Sequence, residues 1–238
     1  GEQPQILAVY QNNQLMVAWQ NHDSKKTVKV SSYKKNGGSF NKEWVKDIPN
    51  GIDKLAGFTG DGSNFYCLTA KSEDMGKTPG WTARGGILNL IKLDSKGNSI
   101  WTKDLSKDNS YIAENVYVYS PMTAGTADMA YGDGKVGIII SGNTDYDAQI
   151  STRHQFGYRF TVNSNDGSPA AKSASYSWKH SFDQRIIYDG QDFVCLDLGD
   201  AGWYLPGPGL ELAKIFNATN THTAPALGWY AYIRNGDN

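Results

Sequence analysis

The chain has 238 residues, of which 39% are hydrophobic and 20% charged, so it is long enough to bury the core of one large domain. Its formal net charge of −1 excludes a global attraction to nucleic acid or to an anionic membrane surface. No apolar run reaches the roughly 18 residues that a membrane-spanning helix needs. The chain begins with Gly1 rather than methionine, so we expect that processing or truncation has removed a segment.

Strand-sized segments separated by turn residues start near the N-terminus. Residues 6–10 and 15–19 flank Asn12-Asn13, and residues 27–33 and 43–48 flank a turn at residues 36–38. Asparagine and glycine tolerate the positive φ angles of tight hairpins. The pattern therefore predicts four antiparallel strands within residues 5–50.

The clearest unit is the second, within residues 52–106. Four strands are predicted at residues 54–59, 64–70, 86–93 and 99–105. Glycine-containing turns join the first pair and the last pair, and a long polar loop joins the middle two strands. A four-stranded unit of this kind cannot bury both of its faces alone, so it must stack on copies of itself.

Looser copies of this unit follow. The third predicts strands at residues 127–131, 136–141 and 156–162 and one ending near Trp178; the fourth predicts strands at residues 185–188, 193–198 and 210–216; a last strand precedes Asn235-Gly236. First hairpins recur near residues 13, 62, 134, 190 and 236, a spacing typical of propeller blades. We predict one all-β domain over residues 1–238, a β-propeller of four to five four-stranded antiparallel blades, with boundaries at about residues 5–50, 52–106, 112–179, 183–224 and a last strand at 226–236.

Closure of the ring has two solutions. The last strand completes a blade by pairing with the N-terminal segment, or the chain is one piece of a larger propeller. We favour the second, because a lone strand has no partners of its own, and we expect any missing part to bind tightly.

Two cysteines occupy matching places on second strands, in Phe65-Tyr66-Cys67-Leu68 and in Phe193-Val194-Cys195-Leu196. Because different blades separate them beyond the roughly 7 Å Cα limit of a disulfide, we predict buried free thiols. The triplet Asn217-Ala218-Thr219 is an N-glycosylation acceptor and is compatible with secretion.

Long, polar and aromatic loops all belong to one face of the predicted propeller, and the short glycine turns belong to the other. Binding residues concentrate on such loops. We therefore place the ligand-binding site on the long-loop face, with the following candidates: Trp81, Arg84, Asp145, Arg153, His154, His180, Gln184, Asp200, Trp203 and Tyr204.

The sequence context argues against several motifs that would indicate a specific function. Gly132-x-Gly134-x-x-Gly137 matches the dinucleotide fingerprint, but an apolar strand follows where a helix must begin, so we predict a hairpin and no cofactor. The four histidines lack zinc-ligand spacing, and no complete calcium loop is present, so no metal site is predicted. No catalytic set stands out, although Asp145, Asp183, Asp197 and Asp200 could supply the carboxylates of a glycosidase.

The segment from Leu93 to Trp101 has the pattern Leu-Asp-x-x-Gly-Asn-x-x-Trp. It resembles the repeated hairpin of bacterial and eukaryotic β-propellers, a resemblance that implies the fold and no activity. The spacing differs from the Asp-box of sialidases, which disfavours that enzyme family.

We predict first a non-enzymatic, extracellular, lectin-like protein, because sugar sites combine aromatic rings with planar hydrogen-bonding groups. The alternatives are a structural subunit that docks other chains and a polysaccharide-cleaving enzyme that uses loop carboxylates with His154 or His180. The predicted partner is accordingly a glycan or another protein chain, and homo- or hetero-oligomers are both compatible with the sequence.

Overall fold

The computed structural model of the chain describes ten segments, and their only regular secondary structure is β-strand. The described residues are 6–21, 27–49, 54–71, 87–106, 117–118, 127–143, 155–174, 181–199, 209–214 and 222–225. Seventeen strands in these segments form four antiparallel sheets, named A to D in chain order.

Sheets A and B each have four strands in sequence order, joined by the predicted hairpins. Sheet A consists of β1 (Ile6–Gln11), β2 (Gln14–Gln20), β3 (Val28–Asn36) and β4 (Ser39–Asp47). Sheet B consists of β5 (Lys54–Gly60), β6 (Phe65–Lys71), β7 (Ile87–Leu93) and β8 (Ser99–Asp104).

Sheets C and D repeat this order. Sheet C contains β9 (Tyr117–Val118), β10 (Ala127–Gly132), β11 (Lys135–Asn143), β12 (Gln155–Asn163) and β13 (Pro169–Ala174). Sheet D contains β14 (Ser181–Tyr188), β15 (Phe193–Gly199), β16 (Gly209–Lys214) and β17 (His222–Pro225).

The first strands of successive sheets lie side by side. β1 contacts β5, β5 contacts β10, and β10 contacts β14, so these four strands are the inner strands of neighbouring blades. Each sheet then extends outward in chain order to its fourth strand. Sheets stacked in this way around a line of inner strands form a β-propeller, and the prediction of an all-β propeller with four-stranded antiparallel blades is confirmed.

Alternation along each strand supplies the core between blades. Phe65 and Cys67 face sheet A, whereas Tyr66 and Leu68, one position on, face sheet C; all four are fully buried. Burying a side chain of this size stabilises the fold by about 1.5–3 kcal/mol. Sheets C and D meet through a smaller cluster around Ile139, Ile186, Phe193 and Cys195.

The tight hairpins follow from the residues at their tips. Asn12 and Asn13 have φ angles of 49° and 61°, and Asp133 and Gly134 have φ angles of 49° and 68°. These angles lie in the left-handed region, which asparagine, aspartate and glycine tolerate best. The glycine pattern at residues 132–137 is therefore a hairpin between β10 and β11, as predicted, and no helix follows it.

β4 and β14 each begin four residues earlier than predicted, at Ser39 and Ser181, and two further strands were not predicted. The inner edge of sheet C is built from two strands, because β9 pairs with the end of β11 at Gly142 and Asn143 and β10 pairs with the rest. No pattern in the sequence predicted β17, which pairs with β16 and completes sheet D. The last predicted strand, residues 226–236, lies outside the described residues.

Candidate functional site

The topology gives the propeller two chemically different ends. The hairpin end carries the tight turns between the first and second strands and the connections between the third and fourth strands. The loop end carries the connections between second and third strands, at residues 21–27, 72–86, 144–154 and 200–208, together with the links between sheets. In the described part of the chain, the loop end therefore begins where β2, β6, β11 and β15 finish.

Nine of the ten predicted site residues lie outside the described residues, and the structure neither brings them together nor separates them. They are Trp81, Arg84, Asp145, Arg153, His154, His180, Asp200, Trp203 and Tyr204. Their segments leave the described sheets at the loop end, so the prediction that they form one site stays a prediction.

Gln184 is the one candidate whose backbone is described. It lies in the inner strand β14, near its start, and its Cα pairs with that of Asp197 in β15. Asp183 is the preceding residue of β14 and pairs with Leu198. The register thus places one amide residue and two carboxylate residues in the loop-end half of sheet D.

Sequence reasoning missed a carboxylate beside this group. Asp128 lies on the inner strand β10, and its carboxylate accepts a hydrogen bond from the backbone N–H of Ile186 across the junction of sheets C and D, at 3.1 Å. The other oxygen accepts from the N–H of Met129 at 2.8 Å. Ile186 is two residues from Gln184, roughly 7 Å along an extended strand. Only the inner-strand register, which the sequence does not reveal, distinguishes Asp128 from other aspartates.

Two charged side chains, Asp128 and Arg159, flank Ile139 on one face of sheet C. Ile139 pairs with Asp128 on one side and with Arg159 on the other, so the three side chains project from the same face of sheet C, toward sheet D. Arg159 is only 5% exposed, and its Nε has no hydrogen-bond partner among the described residues. A buried guanidinium N–H without a partner is rare in folded proteins and marks a place where polar groups or water belong.

The hairpin end holds a second polar cluster between sheets B and C. The Tyr66 hydroxyl donates to Asp61 at 2.6 Å, and Lys92, 8% exposed, donates to the carbonyl of Ser164 at 2.9 Å. Burial, and then the hydrogen bond to Asp61, raise the pKa of Tyr66. Burial alone would raise the pKa of Asp61, but hydrogen bonds from Tyr66 and from neighbouring backbone N–H groups hold it below its usual value.

This cluster ties two sheets together. The Lys92 ammonium also lies 5.5 Å from the centroid of the Tyr66 ring, which in turn stacks on Tyr131 of sheet C. The Tyr66 hydroxyl and the Lys92 ammonium both have partners within the protein, so the cluster is a structural contact.

Within the described segments, no group of three or more His, Cys, Asp or Glu residues could hold a metal ion. The same segments contain no helix long and apolar enough to cross a membrane. Cys67 and Cys195 are both buried free thiols, in two separate clusters, as predicted.

No protein family matches the chain by sequence, and no curated protein matches it. Among solved structures it is similar to a GH43 endo-arabinanase from Bacillus licheniformis, at 12% identity and a TM-score of 0.40, over 88% of this chain and 72% of the other. A subtype N11 neuraminidase-like protein of a flat-faced bat strain (H18N11) gives 14% identity and 0.43, over 89% and 48%. A levansucrase variant of B. megaterium gives 10% and 0.41, over 91% and 65%.

These similarities concern the fold. The chain spans about half the length of the neuraminidase-like protein and just under two thirds of the B. megaterium levansucrase. The names nevertheless contradict our first functional prediction, a non-enzymatic lectin-like protein, because the arabinanase and the levansucrases are enzymes. We withdraw that prediction.

Proposed function

We propose that this chain belongs to a carbohydrate-active enzyme that cleaves polysaccharide, with its site at the loop end of the propeller. The observation that carries the proposal is Asp128, a carboxylate fixed by two backbone N–H groups on an inner strand, beside the loop-end half of sheet D. Glycoside cleavage needs two carboxyl groups flanking the scissile bond, about 5 to 9 Å apart.

Asp128 has suitable neighbours for this chemistry. Asp183 and Asp197 lie in the strands beside it, and the predicted loop residues Asp145 and Asp200 follow β11 and β15. In our proposal Asp128 is one carboxylate of the pair and one of these four residues is the other.

The predicted loop residues would complete the site. Trp81, Trp203 and Tyr204 would stack on sugar rings, and Arg84, Arg153, His154, His180 and Gln184 would donate hydrogen bonds to hydroxyl groups. The substrate is then a polymer met outside the cell, and we propose an extracellular location, with which the acceptor triplet at Asn217 is compatible.

The experiment is a turnover screen of the purified chain against arabinan, levan, sucrose and sialylated glycans, followed by Asp128→Asn on the substrate that reacts. We expect kcat to fall by about 100-fold or more, because the loss of a positioned acid–base or nucleophilic group costs at least that much. The matched control is Asp133→Asn, an exposed aspartate at the hairpin end that should leave kcat unchanged.

Thermal unfolding of both variants separates catalysis from folding. Asparagine at position 128 keeps one carbonyl oxygen for the N–H of Ile186, so the variant should remain folded. Full activity in a folded Asp128→Asn variant would contradict a catalytic role for Asp128. An absence of turnover on every substrate class would contradict the proposed function.

A further inference from the structure

One row of side chains between sheets C and D differs from the equivalent rows of sheets A and B. In sheet C, Asp128, Ile139 and Arg159 pair across β10, β11 and β12, and this row faces sheet D. Counted from the two-residue turn between β10 and β11, Asp128 and Ile139 form the fifth pair. Because the blades repeat one unit, the same place in sheets A and B shows what the row holds elsewhere in the chain.

In sheets A and B this place is apolar. The fifth pair of sheet A is Leu7 with Ala18, and Ala18 pairs in turn with Val30. All three pack in the core between sheets A and B, and Ala18 and Val30 are fully buried. In sheet B, Leu68 and Leu90 pair on the face toward sheet C and are fully buried as well. The third strand therefore carries a buried apolar residue here in two sheets and an arginine in sheet C.

Arg159 is almost as buried as the apolar residues that occupy its place in sheets A and B. It is 5% exposed, and its Nε has no hydrogen-bond partner among the described residues. None of the salt bridges between described residues includes Arg159. Asp128, in the same row, lies two strand spacings away, roughly 10 Å between Cα atoms. Its carboxylate accepts hydrogen bonds from the N–H groups of Met129 and Ile186.

A buried guanidinium group requires a negative partner. Its removal from water is strongly unfavourable unless an opposite charge and hydrogen bonds compensate for the lost hydration. A water molecule would accept the hydrogen bond of the Nε–H but would leave the positive charge uncompensated. The Nε–H and an adjacent Nη–H lie along one edge of the planar group, so both can donate to one anion. Places where a sequence departs from the pattern of its own fold are often functional.

We propose that Arg159 binds a small anion between sheets C and D, either chloride or the carboxylate of a small organic acid. The Nε–H and one Nη–H donate to the anion. A single guanidinium group matches one negative charge, which favours a monovalent anion. The anion compensates the buried charge and thereby stabilises the packing of sheet D on sheet C. The inference concerns a binding site for a small anion and does not depend on the proposed enzymatic activity.

The test is the Tm of the full chain in three sodium salts at one ionic strength. The salts are the chloride, the acetate and the salt of a bulky buffer sulfonate that is too large for a site between two sheets. We expect the Tm in chloride or in acetate to exceed the Tm in the sulfonate by about 3 °C, because a ligand that binds only the folded chain stabilises it. A larger rise in chloride assigns the site to a halide, and a larger rise in acetate assigns it to a carboxylate.

Two substitutions locate the effect at Arg159. Arg159→Leu gives sheet C the residue type that sheet B has at Leu90, and Arg159→Gln keeps N–H donors without the charge. Each variant should have the same Tm in all three salts, and Arg159→Gln decides the matter if Arg159→Leu does not fold. The matched control is Arg185→Leu, which removes an exposed arginine of β14 and should respond to the salts as the wild type does.

Three results would contradict the proposal. The first is a wild-type Tm that is the same in all three salts. The second is an equal rise in the wild type and in both Arg159 variants, which would indicate a general salt effect. Where chloride gives the larger rise, crystals soaked in sodium bromide should show an anomalous peak within hydrogen-bonding distance of Arg159 Nε. The third contradicting result is the absence of that peak.

Discussion

Single residues decide how closely neighbouring blades approach. Gly97 has a φ of 76°, and a Cβ placed there would lie 2.6 Å from the ring of Trp44. At Gly37 the φ is 60°, but no described atom lies within 4 Å. The two glycines thus share a backbone requirement, and only Gly97 adds a contact across the sheets.

This difference yields a prediction. Gly97→Ala should destabilise the protein by about 2–3 kcal/mol, because it combines the strain of a left-handed alanine with overlap against Trp44. Gly37→Ala should cost only about 1 kcal/mol, from the backbone term. Urea unfolding measures both free energies. In a Trp44→Ala background the two glycine substitutions should cost the same, and a persisting difference would show that Trp44 is not the cause.

At the scale of elements, aspartates organise the hairpins. Asp61 accepts hydrogen bonds from the N–H groups of Ser63 and Asn64, and Asp94 accepts from those of Lys96 and Asn98. At Asp94, desolvation works against these bonds, but they prevail and lower the pKa of the carboxyl group. The pKa of Asp166 is lowered too, first by the N–H of Ser168.

These lowered values predict acid sensitivity. A carboxyl group whose pKa is lower in the folded than in the unfolded chain contributes stability above its unfolded pKa, about 3.8, and this contribution is lost as the pH falls through the folded value. The free energy of unfolding should therefore drop below about pH 4. Asp94→Asn should be less stable than the wild type at about pH 6, and the gap should narrow toward about pH 2.

Urea unfolding at a series of pH values measures this gap. Asp133→Asn is the control, since the Asp133 side chain pairs with Lys135 instead of capping backbone N–H groups. A gap for Asp94→Asn that stays constant with pH would contradict the capping role.

The elements themselves were accessible from the sequence where turn chemistry was explicit. In sheet B every predicted strand end lies within one residue of the observed end. Gly60, Asp61, Gly62 and residues 94–98 mark the turns unambiguously. β17 was missed because four residues, His222–Pro225, are too few to show an alternating pattern. β9 was missed as an inner strand because its pairing with β11 depends on residues distant in the sequence.

At the scale of the whole molecule, each of the four described sheets packs against the sheets that precede and follow it in the sequence. Cys67 lies in the core between sheets A and B, and Cys195 lies in the core between sheets C and D. Burial raises the pKa of Cys67, so the thiol is both inaccessible and unreactive in the native state.

These thiols report on cooperativity. In variants that keep one cysteine and carry alanine at the other, both thiols should be protected in water and should react with a thiol reagent only on unfolding. If the four sheets unfold as one unit, the two labelling rates should be equal across a urea series. Faster labelling of Cys195 would show instead that the smaller core of sheets C and D opens first.

Sequence reasoning reached the propeller architecture but not Asp128, the residue on which the proposed site rests. Repeated turns define blades without long-range information, whereas a site depends on which inner strands lie next to each other. Asp128 illustrates the difference: its partner Ile186 is 58 residues away, and no local pattern joins them. The loop residues from Trp81 to Tyr204 were predicted from the composition of the long loops and from the face to which the blade pattern assigns them, and their place in one site stays a prediction.

In the described part of the chain, the hydrogen bonds and glycine contacts that join blade to blade are concentrated at the hairpin end. Gln11 of sheet A holds the N–H of Gly62, Gln14 and Lys46 hold the carbonyls of Ser95 and Lys96, and Trp101 of sheet B holds the carbonyl of Asn165. These contacts stabilise the packing of neighbouring blades at the hairpin end. Insertions and substitutions in the connections at the loop end should leave these contacts intact. Closely related chains should therefore diverge in loop length far more than in the residues of their hairpins.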